Sequence, residues 1–288
     1  MEHTKRNAAA YNAHAQDWAT HTARNEKYRF LEKPAMEALV PENLTGKRVL
    51  CIGVGSGEEL DVILARNPLK VVAIDTSQKL LDIAQERFPE VECVCIDMMA
   101  LGSSTRHQAR HPRGCEDPGG SRATPDSSQQ ENATGTLSKN SFDLIYSSLA
   151  FHYANDWDIL LAGIYRTLKP NGTLLFSAHH PDYWAKNQTG GSHTNERGVK
   201  LTEHQATLAG GAEIIYFNHP NTDSIHDALE HTGFTVERAF APDVVSVPPH
   251  TLTPALCKRY ENLVRTNQKT PLFWVVRASL QADSTKGA

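Results

Sequence analysis

Three glycines stand where a short apolar run gives way to polar residues. The run begins at Val49, and it is followed by Gly53, Gly55 and Gly57 in alternate positions. Because glycine has no side chain, a turn of this kind lets backbone N–H groups approach a ligand at the end of a β-strand. The spacing therefore predicts a ligand-binding turn between a strand and a helix.

Two later apolar runs each end in an acidic residue. Asp75 lies about 20 residues beyond the glycine turn, where a carboxylate can accept hydrogen bonds from both hydroxyls of a ribose. Asp97 closes the next run and precedes Met98, so its carboxylate could accept from an adenine amino group while the thioether packs on the ring. The pattern indicates a ligand that contains ribose and adenine without phosphates.

The glycine spacing argues against two phosphate-containing ligands. A dinucleotide fingerprint that begins at Gly53 and Gly55 requires its third glycine where this chain has Glu58. The Gly-Lys-Ser/Thr sequence of a phosphate-binding loop does not occur in the chain. A NAD-dependent oxidoreductase and a nucleoside-binding or regulatory protein without catalytic activity stay open as alternative functions.

Apolar runs alternate with helical periodicity in the order that a parallel sheet requires. Predicted helices cover residues 58–66, 78–88, 156–168 and 224–231, and predicted strands cover residues 48–53, 71–75, 91–97, 142–147, 173–178, 234–240 and 272–280. This order predicts a single α/β domain over residues 1–288. Its centre is a Rossmann-like, seven-stranded, mostly parallel sheet with helices on both faces.

Three segments stand outside that alternation. Residues 1–45 have helical periodicity and predict an N-terminal helical layer. Residues 102–140 are rich in Gly, Ser, Thr, Pro and Asp and have almost no large apolar side chains, which predicts a disordered insert. Residues 182–220 lose the regular β/α order, apart from a β-like run over residues 213–217, and predict a substrate cap after the fifth strand.

The ordered set of motifs resembles that of the class I S-adenosylmethionine-dependent methyltransferases, closest to their small-molecule branch. The resemblance rests on VLCIGVGSG, VVAID, CVCID, FDLIYSSLAFHY and LKPNGTLLFS. It implies a last strand antiparallel to its neighbours, S-adenosyl-L-methionine as cofactor, and methyl transfer to a small-molecule acceptor through oxygen, nitrogen or sulfur. The cofactor-binding residues that it implies are Gly53, Val54, Gly55, Gly57, Asp75, Thr76, Asp97, Met98, Ser147 and Ser148.

One position departs from the pattern of the family. Many relatives have an acid where this chain has Cys51, close to the ammonium group of the cofactor's methionine. Glu58 and Glu59 are the candidates to replace that acid.

Methyl transfer from a sulfonium depends on alignment and on a desolvated nucleophile. Where the acceptor is a hydroxyl or an ammonium, a base helps, and imidazole titrates nearest to neutral pH. His152 follows the fourth strand and His179 and His180 follow the fifth, so these are the candidate catalytic residues, with ordinary hydrogen-bonded structure as the alternative. The candidate substrate residues are aromatic: Tyr11, Trp18, Tyr28, Tyr153, Tyr183 and Trp184. No ligand spacing predicts a metal site.

Charge and composition limit the kinds of partner that we expect for this chain. A net charge of −4 gives no basic surface for nucleic acid. Five cysteines in 288 residues, together with a polar start, predict a reducing, cytoplasmic setting. No run reaches the roughly 20 apolar residues of a spanning helix, so we expect no membrane partner. The oligomeric state stays open.

Overall fold

The computed structural model describes residues 2–101, 137–185, 191–194, 198–208 and 211–280. Residues 102–136, which make up most of the predicted insert, lie outside the described residues, so disorder there stays a prediction.

A seven-stranded sheet forms the centre of the fold. The strands in chain order are β1 (Arg48–Ile52), β2 (Lys70–Asp75), β3 (Glu92–Cys95), β4 (Phe142–Ser147), β5 (Leu168–His179), β6 (Ser192–Thr194), β7 (Lys200–Thr207), β8 (Glu213–Asn218), β9 (Phe234–Phe240) and β10 (Phe273–Leu280). The main sheet has the order β3-β2-β1-β4-β5-β10-β9, and β10 runs antiparallel to both of its neighbours. The predicted fold class is confirmed.

Helices cover both faces of that sheet. They are α1 (Glu2–Ala13), α2 (Ala15–Arg24), α3 (Lys33–Glu37), α4 (Leu60–Leu64), α5 (Gln78–Arg87), α6 (Trp157–Thr167), α7 (Pro181–Ala185), α8 (Thr222–Thr232) and α9 (Pro254–Lys269), with a π-helical turn at Tyr28–Glu32. Side-chain caps set several starts: the Ser77 hydroxyl accepts from the Leu80 N–H at α5, and Asp156 accepts from the first N–H groups of α6.

The core lies in two layers because side chains alternate along the central strand. Leu50 and Ile52 of β1 pack on one face with α6 and α8, and Val49 and Cys51 pack on the other face. All four side chains are fully buried. This two-sided burial explains why β1 is a continuous apolar run, and it holds the end of β1, where the glycine turn begins, in a fixed place.

A second, three-stranded antiparallel sheet, β6-β7-β8, occupies the segment where a cap is predicted. It is joined to the N-terminal layer through Asn7 of α1, whose amide donates to the Ile215 carbonyl (2.6 Å) and accepts from the Ile215 N–H (2.8 Å). The sequence indicated a loss of β/α order there with a β-like run over residues 213–217, which matches β8. Strands β6 and β7 are findings of the structure.

Helix α9 was not predicted. Its start has an ordinary signal, since the Thr253 hydroxyl accepts from the Leu256 N–H and Pro254 takes the first position. Leu256, Tyr260 and Leu263 stand at i, i+4 and i+7 and pack in one cluster, so the helical period was readable from the sequence and was missed. None of the helices in the described ranges is both long and apolar enough to cross a bilayer.

Candidate active site

A cavity of about 620 Å³ lies at the carboxyl ends of β1, β2 and β4. Helices α1 and α2 and strands β7 and β8 supply its other walls. The structure brings most of the expected site residues to it: Tyr11, Trp18, Tyr28, Gly53, Val54, Gly55, Asp75, Thr76, Asp97, Met98, Ser148, His152, Tyr153 and His179. Strand ends of one parallel sheet meet at one edge, which is why residues far apart in sequence converge here.

The glycine turn is shaped by close approach to a neighbouring loop. Gly53 has φ +67°, and a Cβ on it would lie 2.2 Å from the Cβ of Ala150. Gly55 has φ +54°, and a Cβ there would meet nothing closer than the Trp18 indole nitrogen at 3.9 Å. Only glycine fits the first position, and the second leaves the backbone open to the cavity.

Asp75 ties the glycine turn to the start of α5. Its Oδ2 accepts from the Gly55 N–H (2.9 Å) and its Oδ1 accepts from the Ser77 N–H (2.9 Å). Burial raises the pKa of Asp75, and the backbone N–H groups oppose that shift. Each carboxylate oxygen can accept more than one hydrogen bond, so Asp75 can still accept from a ligand in the cavity.

Asp97 and Met98 form the wall of the cavity beyond β3. The Asp97 Oδ1 accepts from the Met99 N–H (2.9 Å) and thereby caps the short 3-10 turn Met98–Ala100. The cap fixes the direction of the carboxylate, and Ile96 lines the cavity beside it.

A buried carboxyl lies beneath the loop that follows β4. The Glu32 Oε1 accepts from the hydroxyls of Ser148 (2.8 Å) and Ser177 (2.5 Å), and the Ser177 oxygen accepts from the Leu149 N–H (3.0 Å). Leu149 has φ +49°, a conformation that needs such support. Burial raises the pKa of Glu32 to about 7, although the two hydroxyls oppose the shift.

Two of the three candidate histidines form a stacked pair at the cavity wall. The ring centroids of His152 and His179 lie 3.9 Å apart, and the Tyr216 ring stands edge-on to both. Burial lowers the pKa of His152 to about 3 and lowers the pKa of His179 well below its ordinary value. Both imidazoles are therefore neutral near pH 7, and both are weak proton acceptors.

Aromatic side chains close the cavity on the side of the N-terminal layer. The hydroxyls of Tyr11 and Tyr153 share a hydrogen bond, and the Trp18 ring stands edge-on to Tyr11 with centroids 5.1 Å apart. Burial raises the pKa of Tyr153 to about 12, so both hydroxyls stay protonated. The Tyr28 hydroxyl is buried and has no hydrogen-bond partner among the described residues.

Four expected site residues lie away from the cavity lining, and the side chain of a fifth is outside the described part of the structure. His180 is buried against Trp274, with ring centroids 5.5 Å apart, and does not line the cavity. Gly57 packs against helix side chains, the buried Ser147 hydroxyl donates to the Ile52 carbonyl (3.0 Å), and Tyr183 packs with the cluster that contains Phe30. The fifth residue is Trp184, whose side chain lies outside what the structure describes.

Comparison with known proteins identifies the family. The family described as "Methyltransferase domain" matches residues 21–239. The chain belongs to this family. This methyltransferase is 29% identical over 232 residues to an uncharacterized protein of Haemophilus influenzae, with 76% of this chain and 78% of that protein covered.

Two further comparisons agree with that assignment. The match to the malonyl-[acyl-carrier protein] O-methyltransferase of Halorhodospira halophila is 26% identical and covers 51% of this chain and 40% of that protein. The crystal structure of an S-adenosylmethionine-dependent methyltransferase from Mesorhizobium loti superposes with a TM-score of 0.57 at 22% identity, covering 90% of this chain and 99% of that one. The protein is an S-adenosylmethionine-dependent methyltransferase by family, and this family replaces the oxidoreductase alternative.

Sequence reasoning missed several residues of the cavity wall. Tyr216 of β8 and Phe273 of β10 line the cavity, and so does Lys27, which precedes the π-helical turn. The alternation of Ile214 and Tyr216 on one face of β8 is a readable signal. Lys27 stands in no comparable pattern, and only the fold brings it to the cavity.

Proposed function

We propose that this methyltransferase methylates a small molecule, and that cofactor and acceptor bind side by side in the cavity at the sheet edge. The observation that carries the proposal is that the expected cofactor residues and the histidine and aromatic wall line one and the same cavity. Its volume of about 620 Å³ lies in the range typical of small-molecule sites.

In the proposed arrangement the cofactor lies along the carboxyl ends of β1, β2 and β3. Asp75 accepts from the ribose hydroxyls, Asp97 accepts from the adenine amino group with Met98 on the ring, and the methionine part lies against the glycine turn. The residues fit such a ligand, because Gly55 leaves open space where a side chain would stand and both acids face the cavity. Bound S-adenosylmethionine supplies a methyl group on a sulfonium sulfur.

The acceptor lies, in this proposal, against His152, His179 and Tyr28. Neutral imidazoles can donate and accept hydrogen bonds, so they orient the acceptor. Burial makes His152 and His179 weak bases, which favours orientation over proton removal as their role. His180 plays no part because it lies outside the cavity lining.

The N-terminal layer of residues 1–45 and the cap of residues 182–220 exclude water from the reacting atoms in this proposal. Tyr11 from the first stands edge-on to Tyr153, and Tyr216 from the second stands edge-on to His152. Helix α1 is bonded to β8 through Asn7, so the two segments close the cavity together as parts of one domain. Desolvation of the nucleophile accelerates a displacement at a sulfonium.

Charge and composition support a small-molecule acceptor in the cytoplasm. The net charge of −4 gives no attraction to nucleic acid. One relative is named for methylation of a malonyl group on a carrier protein, and its partial match is compatible with an oxygen acceptor.

The experiment is to incubate the full chain with methyl-labelled S-adenosylmethionine and separated cellular fractions of metabolites, nucleic acid and protein. Label should enter the metabolite fraction and should disappear when S-adenosylhomocysteine is added in excess. Label on nucleic acid or on protein side chains would contradict the proposal. A matched reaction with Asp75→Ala controls for transfer that does not depend on the site.

A further inference from the structure

Glu59 is a buried carboxyl with one oxygen that has no hydrogen-bond partner among the described residues. The residue is 4% exposed, it lines the cavity, and that oxygen is its Oε1. A buried carboxyl oxygen without a partner is costly in a folded protein. A group that enters the cavity and supplies a donor would remove that cost.

The cations near Glu59 are engaged with other groups. Lys33 Nζ donates to both oxygens of Asp61 (2.9 and 3.0 Å) and to the Glu58 carbonyl (2.9 Å). Arg87 donates to the Glu58 Oε1 (2.8 Å), and the Ser56 hydroxyl donates to the Glu58 Oε2 (2.8 Å). Within the described part of the chain, the side chain of Glu58 is therefore satisfied, and the Oε1 of Glu59 is not.

The position of Glu59 matches one end of the cofactor. Glu59 directly precedes α4, two residues beyond Gly57, and its charge acts on Tyr28 and on Cys51 at the end of β1. Its neighbour Cys51 is a fully buried thiol whose pKa rises through burial and through the charge of Glu59. A thiol cannot neutralise a cation there. Burial, and then the charge of Glu58, raise the pKa of Glu59 well above its ordinary value, so a cation that enters the cavity would favour the ionised carboxylate.

S-adenosylmethionine carries a primary ammonium on its methionine moiety, with three donors for a carboxylate. We propose that Glu59 binds this α-ammonium group and is thereby a cofactor-binding residue of the site. The assignment rests on the cofactor placement proposed above. It also decides between the two candidates that the sequence offered, Glu58 and Glu59. A charge-assisted pair of this kind in a buried site contributes strongly to affinity.

The test is calorimetric titration of the full chain with two ligands, S-adenosylhomocysteine and 5′-methylthioadenosine. The second ligand keeps the adenosine and the sulfur but lacks the amino acid. Glu59→Gln should weaken S-adenosylhomocysteine binding by about tenfold or more, and should leave 5′-methylthioadenosine binding within about twofold of the wild type. Glu58→Gln, the matched variant at the next position, should weaken neither ligand by more than about threefold.

Two results would overturn the assignment: unchanged affinity of Glu59→Gln for S-adenosylhomocysteine, or an equal loss for both ligands. If Glu59→Gln does not fold, Glu59→Asp, which keeps the charge on a shorter side chain, provides the same comparison. A loss of affinity for S-adenosylhomocysteine alone supports the assignment, and an equal loss of affinity for both ligands overturns it. Failure of the proposed cofactor placement looks different, since Asp75→Ala would then bind 5′-methylthioadenosine as tightly as the wild type.

Discussion

The imidazole rings of His152 and His179 stack face to face at the cavity wall, with planes inclined by only 11°. Two imidazolium ions at this distance would repel each other, and burial disfavours the charge on either ring. The pair is therefore a neutral, rigid surface that can hydrogen-bond an acceptor at neutral pH.

Neutrality of His152 has a measurable effect on stability. Its pKa falls from an ordinary value of 6.5 to about 3 in the folded chain. Between those values the unfolded chain binds the proton and the folded chain does not, so the free energy of unfolding falls as pH falls from about 6.5 toward about 3. At about pH 5, His152 should lower the free energy of unfolding by on the order of 1 to 2 kcal/mol.

His152→Phe should remove that contribution. The two pH values for urea unfolding, 7.5 and 5, lie on either side of the ordinary pKa of histidine. Between them the free energy of unfolding should fall less for the variant than for the wild type. His250→Phe, at an exposed position, should keep the wild-type dependence. Parallel pH profiles for the wild type and His152→Phe would contradict the neutral buried state.

Asp75 should affect cofactor affinity for two reasons. It lines the cavity, and it accepts hydrogen bonds from the Gly55 and Ser77 N–H groups and so holds the glycine turn in place. Asp75→Ala should weaken S-adenosylhomocysteine binding by about tenfold or more in a calorimetric titration. Asp82→Asn, an exposed acid on α5 that accepts from Gln78, should bind the ligand as the wild type does. Wild-type affinity in Asp75→Ala would rule out a ligand contact at this residue.

The sequence predicted the sheet because the sheet is encoded locally. The runs that end at Asp75 and Ser147 are buried strands bounded by turn and cap residues, and their order allows few topologies. Placement of Asp75 and Asp97 at one edge followed from the parallel arrangement alone. Observed bounds differ from predicted ones by a few residues, as at α4, which begins at Leu60.

The rest of the site depends on contacts between segments distant in sequence. Glu32 reaches Ser148 and Ser177 across more than one hundred residues, and no local pattern signals that network. His179 and His180 are adjacent in sequence, yet the end of β5 turns one toward His152 and the other toward Trp274. Neighbouring side chains at a strand end are expected to point in opposite directions. Packing decides which of the two histidines points toward the cavity.

Gly53 should tolerate no side chain. Gly53→Ala would combine a positive φ with a Cβ placed 2.2 Å from the Ala150 Cβ, whereas Gly46→Ala has a similar φ of +74° and nothing within 4 Å. Both variants lose about 1 kcal/mol or more to backbone strain, and the first should lose roughly 1 to 3 kcal/mol in addition from overpacking. Urea denaturation of the two variants measures the difference, and equal losses would contradict the close approach of the two loops.

Glu32 should show the pH dependence opposite to that of His152. Burial raises its pKa from 4.5 to about 7, so between these values the folded chain binds a proton that the unfolded chain does not bind. The free energy of unfolding therefore contains a term that decreases as pH rises from about 4.5 to about 7. Glu32→Gln keeps an oxygen to accept from Ser148 and Ser177 but cannot ionise.

The Gln variant should thus gain stability relative to the wild type as the pH rises. The gain between pH 5 and pH 8 should be on the order of 2 kcal/mol, as the shift of the Glu32 pKa implies. Urea unfolding at both values measures it, with the exposed Glu90→Gln as the matched control, for which no such gain is expected. The difference in unfolding free energy between Glu32→Gln and the wild type could instead be the same at both pH values. The buried carboxyl would then not titrate in this window, and a Glu32 of constant charge would hold the loop at Leu149.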